Sequence, residues 1–392
     1  MKKHPSQVVR SEKFGPVKAV LCGIAGVMFG LSALAATYPN GTFRYAAPTL
    51  PVNPTGTPGT QYVPATKDDV GLLNAINAAH ANGGGQIILA SGTYTINKRV
   101  ALQNNISILG AGKGSTIIKR GSGFPWTSGT WTELLGAMDA VLHDFYIQNL
   151  TLDGGFTYSQ LMSSKPYVYS LRISSTADDA AHLNQRVYYY NIEVMNFGIG
   201  LNMGNSAEIT VDNCYFHANG CDAVFESLYI RNVKDVLIKN CEFGFAFEGL
   251  GVKVAGGLSN YPNEAHNVTI TGNYFHDNGW ADLYVGGMQG VRIYNNTCTY
   301  AGSGSTAVNN NAGVLGGITL YNEVGSDNTG NHYNSNVDVV NNIVQNNKWA
   351  GIELEYSNGL NVQGNRCNGT TSGNNYNGPT GVTGLVCDYN TQ

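Results

Sequence analysis

Apolar and polar residues alternate in short runs along most of the chain beyond residue 85. Two examples are Ile147-Gln148-Asn149-Leu150-Thr151-Leu152 and Gly272-Asn273-Tyr274-Phe275. A side-chain period of two is typical of β-strands, because successive residues of a strand face opposite sides of a sheet. The runs recur with a basic period of about 23 residues, lengthened in places by insertions. The pattern therefore predicts a repeat protein built from short strands.

Asparagine or cysteine recurs at one position of the aligned units. The aligned residues are Asn149, Asn191, Cys214, Cys241, Asn273, Asn296, Asn342 and Asn365. In a stack of such units, each asparagine side chain can bond to the next one along the axis and satisfy polar groups that a buried turn would strand. We therefore expect a solenoid of parallel strands in which each unit packs on the preceding one.

The composition excludes several classes of protein. The chain has 50 glycines, 12% charged residues and a net charge of −4, which does not fit a basic nucleic-acid-binding protein or a charge-rich helical bundle. Its 42% hydrophobic content is also unlike that of a disordered chain. The chain should fold, and mostly without helix.

The N-terminal region resembles an export signal followed by a linker. Basic residues precede an apolar run over residues 19–36 that ends in Ala33-Leu34-Ala35-Ala36, as in a cleaved signal peptide. The alternative is an uncleaved membrane anchor, since the run is close to the lower length limit for a span. The predicted organisation is a signal peptide at 1–36, a Pro/Gly/Thr-rich linker at 37–66 and a repeat domain at 67–392.

The start of the repeat domain resembles a known superfamily. Residues 68–79, 83–89, 92–94 and 106–112 are similar to the capping helix and first coils of pectin-lyase-like right-handed parallel β-helix proteins. The resemblance extends over roughly residues 68–368 and implies an all-β, right-handed, single-stranded parallel β-helix with a short N-terminal capping helix. The superfamily includes lyases, hydrolases, epimerases, adhesins and phage spikes, so the resemblance indicates a fold and not one activity.

In such a solenoid, functional residues should stack from neighbouring coils. Aligning the second strand of each unit gives an outward column of Asn202, Ser227, Lys253, Gly286, Tyr321 and Glu355, with Phe225, Tyr284, Thr319 and Glu353 beside it. Trp280 and Trp349 share a further column, and aromatic rings suit the apolar face of a sugar. The residues predicted to contact substrate are Asn202, Trp280, Tyr284, Tyr321, Trp349, Glu353 and Glu355.

An acidic patch beside Lys253 is the predicted catalytic centre. Asp222, Glu248 and Asp282 fall at nearly the same point of three consecutive turns, so their carboxylates should repel one another. They predict a bound Ca²⁺ ion, a shared proton or a salt bridge with Lys253; the alternative is that they cap turns and face water. Glu226 falls on an inward position, as a bulged residue or a buried carboxylate that needs a partner, and is a further catalytic candidate.

Other features have structural interpretations. His217 and His276 occupy equivalent turns and are expected to fill them. Cys214 and Cys241 could form a disulfide between adjacent coils or act as small apolar residues. Inserts at 154–186, 255–266 and 301–315 interrupt the period and should gather on one face as walls of a groove.

The acids and the lysine together predict a polysaccharide lyase acting on a uronate-containing chain by β-elimination. Ca²⁺ on Asp222, Glu248 and Asp282 would neutralise the substrate carboxylate, and Lys253 would remove the C5 proton. The alternatives are a glycoside hydrolase that uses a carboxylate pair, a C5-epimerase, and a non-catalytic glycan-binding protein. The expected partner is a polysaccharide, without nucleic acid or, after signal removal, membrane; the location is secreted or periplasmic, and the oligomeric state is open.

Overall fold

The structure of the chain is a computed structural model. It describes residues 41–51, 59–138, 141–174, 182–222, 225–256, 266–302, 316–321, 323–324, 331–348, 350–355, 357–369, 376–380 and 386–388. The predicted signal peptide lies outside these residues. Neither helix within them has the length and apolar character needed to cross a bilayer.

Short strands account for most of the described chain. The two helices are α1 (Asp69–Ala81) and α2 (Tyr158–Ser164). The strands are β1 (Gln61–Tyr62), β2 (Gly85–Ile88), β3 (Gly92–Ile96), β4 (Val100–Ala101), β5 (Ile106–Leu109), β6 (Thr116–Arg120), β7 (Thr132–Met138), β8 (His143–Asp153), β9 (Val168–Ser174), β10 (Asn184–Met195), β11 (Ile199–Asp212), β12 (Tyr215–His217), β13 (Glu226–Lys239), β14 (Glu242–Gly244), β15 (Leu250–Ala255), β16 (His266–Thr271), β17 (Tyr274–His276), β18 (Leu283–Gly286), β19 (Gln289–Tyr294), β20 (Thr297–Thr299), β21 (Ile318–Tyr321), β22 (Glu323–Val324), β23 (Asn331–His332), β24 (Asn334–Val340), β25 (Ile343–Gln345), β26 (Ile352–Glu355), β27 (Ser357–Gln363), β28 (Arg366–Asn368), β29 (Tyr376–Thr380) and β30 (Val386–Asp388).

The strands wind into a parallel coil with three faces. The first face runs through β7, β9, the first half of β11, the first half of β13, β15, β18, β21 and β26. The second face continues from the second halves of β11 and β13 into β16, β19, β24 and β27. The third face consists of the short strands β12, β14, β17, β20, β25 and β28. Each coil is thus hydrogen-bonded to the coils before and after it, and the predicted solenoid of parallel strands is confirmed.

Identical inward positions of successive coils form apolar columns. On the first face, one column consists of Leu201, Leu228, Val252, Leu283, Ile318 and Ile352, all buried. On the third face, the rings of Phe216, Phe243 and Phe275 stack with centroids 4.8 and 5.0 Å apart. Coils about 5 Å apart suit such stacking, since this is the spacing of hydrogen-bonded strands.

Helix α1 covers the N-terminal end of the coil, as the resemblance implied. Asp68 caps it, because its side chain accepts a hydrogen bond from the backbone N–H of Gly71 at 2.8 Å. Leu72, Ile76 and Ala79 are fully buried against the first strands. The helix therefore shields apolar residues that no preceding coil covers.

The asparagine ladder exists, although two members belong to another column. The side-chain oxygens of Asn273, Asn296, Asn342 and Asn365 each accept from the backbone N–H of the preceding member, at 2.9 to 3.0 Å. Cys214 and Cys241 continue this inner column as buried thiols without a disulfide. Their tight packing in the column favours the small-hydrophobe interpretation.

Asn149 and Asn191 were aligned one residue too early. Strand pairing places Leu150 and Ile192, not these asparagines, beside Cys214. Asn149 and Asn191 share an outer column with Asn213, at φ values of 56°, 50° and 55°. Asparagine is common at both positions for different reasons, because it tolerates the left-handed conformation and also bonds along a ladder.

The predicted linker is partly docked on the coil. The backbone N–H of Arg44 donates to the buried Asp338 at 2.8 Å, and Arg292 donates to the carbonyl of Tyr45. Phe43 packs edge-on against Tyr294, with ring centroids 5.2 Å apart. Residues 41–51 therefore pack on the second face as an extended segment. A backbone N–H group of this segment donates to the buried carboxylate of Asp338 on that face.

Replacing an inner asparagine should destabilise the coil strongly. Asn342 accepts from the backbone N–H of Asn296 and donates to Asn365 and to the carbonyl of Ile293. Asn342→Ala leaves these buried groups unpaired, so we expect a loss of about 2 kcal/mol or more in the free energy of unfolding. Urea denaturation measures the loss. Gln345→Ala, on the outside of the next strand, is the control and should change stability by less than about 0.5 kcal/mol.

Candidate functional site

The first face presents two outward columns of side chains. Strand register places the residues of one column in the order Arg172, Asn202, Tyr229, Lys253, Tyr284, Thr319 and Glu353. The neighbouring column consists of Ser174, Gly204, Arg231, Ala255, Gly286 and Tyr321. The outward direction predicted for Asn202, Lys253 and Tyr284 is therefore correct.

Part of the predicted alignment was wrong by two residues. Tyr229, and not Ser227, pairs with Lys253. Ser227 lies two residues before Tyr229 in β13 and is fully buried. Gly286 and Tyr321 fall in the second column with Arg231. A slip of two residues preserves the alternation of inward and outward side chains, so the pattern alone cannot detect it.

The structure does not bring the three predicted acids into one patch. The carboxylate of Asp222 lies 2.8 Å from the Nζ atom of Lys165 and is partly exposed. Asp282 is fully buried. Its partner in the strand register is Gly251, which lies three residues after Glu248. Within the described residues, no three His, Cys, Asp or Glu side chains lie together in a way that could hold a metal ion. The predicted Ca²⁺ ligand set of Asp222, Glu248 and Asp282 is therefore not assembled.

Asp282 has instead the surroundings of a neutral carboxyl group. Asn278 donates to its Oδ1 atom at 2.7 Å, and its Oδ2 atom has no hydrogen-bond partner. Burial raises the pKa of Asp282 well above its usual value, with Asn278 opposing the shift. A carboxyl group enclosed in this way lies in the interior of the turn.

Glu226 is also buried, at the start of β13. It pairs in register with Leu250, on the inward parity expected from the sequence. Burial and, to a smaller extent, the charge of Glu226 raise the pKa of the Tyr169 hydroxyl, while Arg172 and Arg231 act in the opposite direction. The four side chains are thus close enough to interact electrostatically.

A shallow depression of about 270 Å³ lies at the N-terminal end of this face. It is lined by Trp131, Tyr169, Arg172, Asn202, Tyr229 and Arg231. Trp131 is 48% exposed, and its ring stacks on Tyr169 with centroids 5.5 Å apart. An exposed ring held by a second ring forms a rigid apolar wall beside the polar floor.

Two arginines, Arg172 and Arg231, line the depression. The guanidinium group of Arg172 lies 5.0 Å from the ring centroid of Tyr169, and its Nε atom is buried without a hydrogen bond. The Nε atom of Arg231 lies 3.2 Å from the point that a Cβ atom on Gly204 would occupy. Arg231 therefore leans across the preceding coil, which glycine permits. Two such guanidinium groups suit a carboxylate ligand, which accepts paired hydrogen bonds from them.

Lys253 lies next along the face, between two tyrosines. Its Nζ atom is 5.4 Å from the ring centroid of Tyr229 and 5.1 Å from that of Tyr284. The rings of Tyr284 and Tyr321 lie 6.1 Å apart, and Trp280 packs against the same cluster. Three residues predicted to contact substrate are therefore gathered beside the lysine. Their roles stay predictions.

The remaining predicted contacts lie further along the coil. Glu353 is buried, two coils beyond Tyr284 and in the same column. Glu355 is partly buried, and burial raises its pKa, while a hydrogen bond with Glu353 opposes the shift. Trp349 lies outside the described residues. The two glutamates are thus separated from the arginines by the aromatic cluster.

Sequence reasoning missed Trp131, Tyr169, Arg172, Tyr229 and Arg231. Arg172 and Tyr169 lie within the segment taken as an insert, although β9 is a coil strand that pairs with β7 and β11. The alternation in Val168-Tyr169-Ser170-Leu171-Arg172-Ile173 was the signal for this strand. Tyr229 and Arg231 were hidden by the two-residue slip in β13.

Comparison with known proteins agrees with this architecture. The family model described as "Right handed beta helix region" matches residues 199–383. The surface adhesin PfbA of Streptococcus pneumoniae has a similar structure, with a TM-score of 0.59 and 15% identity over 85% of this chain and 93% of that chain. The chain has the right-handed parallel β-helix fold that the resemblance implied.

Two curated relatives match a shorter part of the chain. Mannuronan C5-epimerase AlgE3 of Azotobacter vinelandii is 34% identical over 97 residues, which are 23% of this chain and 5% of that protein. Alginate lyase 7 of the same organism is 34% identical over 96 residues, which are 23% of this chain and 11% of that protein. The chain thus spans only a small part of the length of these relatives.

Asp282→Asn should stabilise the protein at neutral and alkaline pH. Because the folded-state pKa of Asp282 is raised, its contribution to stability is complete below the ordinary value of 3.8 and is lost as the pH rises towards the folded-state pKa. Asparagine has the same shape and cannot ionise. We expect its Tm to exceed that of the wild type by a few degrees at about pH 8, and the difference to shrink at about pH 4.

Thermal denaturation at the two pH values measures the effect. Asp222→Asn is the matched control, since it removes an exposed ion pair with Lys165 and should change Tm little at either pH. A lower Tm for Asp282→Asn at both pH values would mean that the folded protein requires the ionised carboxylate.

Proposed function

We propose that this protein modifies a uronate-containing polysaccharide by removing the proton at C5 of a uronate, and that the resulting reaction is β-elimination. The observation that supports this most is the pair of arginines in the depression, followed along one face by Lys253 and flanked by aromatic rings. The names of the two curated relatives, a mannuronan C5-epimerase and an alginate lyase, support the same class of substrate.

Arg172 and Arg231 would bind the carboxylate of the reacting uronate. The C5 proton is weakly acidic while the neighbouring carboxylate keeps its charge, because its removal places further negative charge on the same group. Two guanidinium groups that hydrogen-bond this carboxylate stabilise the developing charge in the transition state. In this proposal the arginines supply the neutralising charge that the sequence analysis assigned to Ca²⁺.

Lys253 would act as the general base. Its neutral amine takes the C5 proton, the electron pair forms the double bond between C4 and C5, and the bond from C4 to the leaving sugar oxygen breaks. The leaving oxygen takes a proton from a phenol, for which Tyr229 and Tyr284 are the nearest candidates to the lysine. The products are an unsaturated uronate end and a new hydroxyl end.

The aromatic residues would hold the chain along the coil axis. Trp131 and Tyr169 form a stacked wall at the arginine end, and Trp280, Tyr284 and Tyr321 form a cluster beyond the lysine. Both can pack against apolar faces of sugar rings. A chain bound across both would place one uronate between the arginines and Lys253.

A C5-epimerase is the second candidate. It begins with removal of the same proton and then returns a proton to the opposite face of C5, so no bond between sugars breaks. The curated relative with that name supports it. The glycoside hydrolase alternative is supported less for a carboxylate pair that includes Asp282, because Asp282 is fully buried. A non-catalytic glycan-binding protein stays an alternative that an activity assay tests.

Export to the periplasm or the medium also belongs to the proposal. A polysaccharide substrate outside the cytoplasm agrees with the signal peptide predicted at residues 1–36. The oligomeric state is not part of the proposal, because the depression is formed within a single chain.

Substitutions in the depression should abolish activity without unfolding the protein. We expect Lys253→Met to abolish the ultraviolet absorbance of unsaturated uronates, because no base remains. Arg172→Gln and Arg231→Gln should each reduce kcat by about 10²- to 10³-fold, as for loss of one donor to a developing anion. The substrate is a polyuronate such as mannuronan, and circular dichroism checks the fold of each variant.

Lys239→Met is the matched control. Lys239 pairs with Asp212 on the second face, away from the depression, and its loss should leave the rate unchanged. No new absorbance with the wild type, but exchange of the C5 proton with solvent deuterium, would favour the epimerase. Reducing ends without absorbance would favour the hydrolase. Full activity of Lys253→Met would exclude the lysine as base.

Chelation separates the arginine hypothesis from the calcium hypothesis. If Arg172 and Arg231 neutralise the substrate carboxylate, EGTA should leave the rate of the wild type unchanged, and added Ca²⁺ should not restore either arginine variant. Loss of activity in EGTA and its return with Ca²⁺ would support the calcium requirement expected from the sequence and contradict the arginine assignment.

A further inference from the structure

The third face carries exposed aromatic rings that the proposed reaction does not use. Phe245, Tyr274 and Tyr300 are 45%, 43% and 51% exposed. Phe245 follows β14, Tyr274 begins β17 and Tyr300 follows β20, so three consecutive coils contribute one ring each. We refer to these three residues as the aromatic platform.

Two members of the aromatic platform have an unfavourable backbone conformation. Phe245 and Tyr300 have φ values of 53° and 61°, in the left-handed region. The corresponding turn residues of other coils are Asn196, Ala218, Asp277 and Asn346, also with positive φ. The coil therefore imposes this conformation, and asparagine or aspartate adopts it at lower cost than a bulky ring.

Folding does not explain the two rings. A bulky residue with positive φ costs stability, and a ring that is about half exposed recovers little of this by burial. At the same position, asparagine would give a more stable turn. The combination of backbone strain and exposure points to a role for the rings at the surface.

His276 holds two members of the aromatic platform, Tyr274 and Phe245, in a fixed geometry. Its ring stacks on Tyr274 at 4.6 Å between centroids and meets Phe245 edge-on at 5.1 Å. It also lies over Gly244, where a Cβ atom would be 2.4 Å from the imidazole. Glu242 and Asp277 bond the two imidazole nitrogens at 3.1 and 2.9 Å. The rings of Tyr274 and Phe245 are thus positioned before any ligand arrives, which lowers the entropic cost of binding.

The chemistry of the surroundings favours an uncharged sugar chain as the ligand. Phe245 and Tyr300 occupy the same position two coils apart, about 10 Å, and Tyr274 lies on the coil between them, three residues before that position. Phe245 and Tyr300 can each pack on a sugar ring of a chain that lies along the coil axis, with Tyr274 to one side. The carboxylates of Glu242 and Asp277 lie beside the rings, where they can accept hydrogen bonds from sugar hydroxyls and disfavour an anionic chain.

We propose that the aromatic platform is a second glycan-binding surface, which takes a neutral stretch of polysaccharide on a different face from the arginine depression. The surface would keep the protein on a matrix or a mixed polysaccharide while the first face acts on uronates. It is independent of the reaction proposed above, because it requires neither Lys253 nor the arginines.

The test is the double substitution Phe245→Asn and Tyr300→Asn. Asparagine removes both rings and suits the left-handed turn, so we expect the Tm to be unchanged or higher than that of the wild type. Native affinity electrophoresis with hydroxyethylcellulose, galactomannan and dextran in the gel measures binding. We expect at least one of these polysaccharides to retard the wild type. The double variant should bind that polysaccharide at least about tenfold more weakly than the wild type does.

Two control variants locate the effect. Tyr333→Asn removes a ring that is 50% exposed outside the platform and should bind as the wild type does. Lys253→Met should also keep neutral-glycan binding, whatever it does to activity. The proposal would be overturned if the double variant were retarded as strongly as the wild type. It would also be overturned if none of the three polysaccharides retarded the wild type. A lower Tm of the double variant would assign the rings to folding and also overturn it.

Discussion

Parallel hydrogen bonding between successive coils determines where every side chain of this protein lies. Each coil pairs with the coil before and the coil after it, so residues at equivalent positions stack about 5 Å apart. The arrangement tolerates turns inside the stack only when their buried polar groups are satisfied. Asn273, Asn296, Asn342 and Asn365 do this with one repeated side-chain bond, and the apolar columns beside them can then pack without gaps.

The same register distributes the charges. Like charges stacked on neighbouring coils would repel one another. In the structure, each of three acids has a different partner. Asp222 pairs with Lys165, Asp282 is enclosed with Asn278, and Asp338 is satisfied by the backbone of the N-terminal segment at 41–51. On the first face, Arg172 and Arg231 lie in one depression beside the rings of Trp131 and Tyr169.

The first and third faces thus differ in chemistry although one repeat builds both. The first face combines cations with aromatic rings, which suits an acidic sugar. The third face combines aromatic rings with carboxylates, which suits a neutral one. A β-helix can separate two such surfaces, because its faces are joined by turns and the coil between them is rigid. Exposed rings of Phe245 and Tyr300 with strained backbones are tolerated because the neighbouring coils fix the turn.

The sequence by itself determined the strands, the parallel stacking and the existence of an asparagine column, and the resemblance to a known superfamily implied the capping helix. The first three follow from local signals, since alternation and period are read within one or two units of the repeat. It also placed Asn202, Lys253 and Tyr284 on the outward side of one face. Only the tertiary structure decided which residues of neighbouring coils are in register, because insertions change the length of each unit and a slip of two residues keeps the alternation intact. In that register, Asp282 does not align with Glu248, and Tyr229 instead of Ser227 lies beside Lys253. Arg172 and Arg231, which belong to different strands, line one depression.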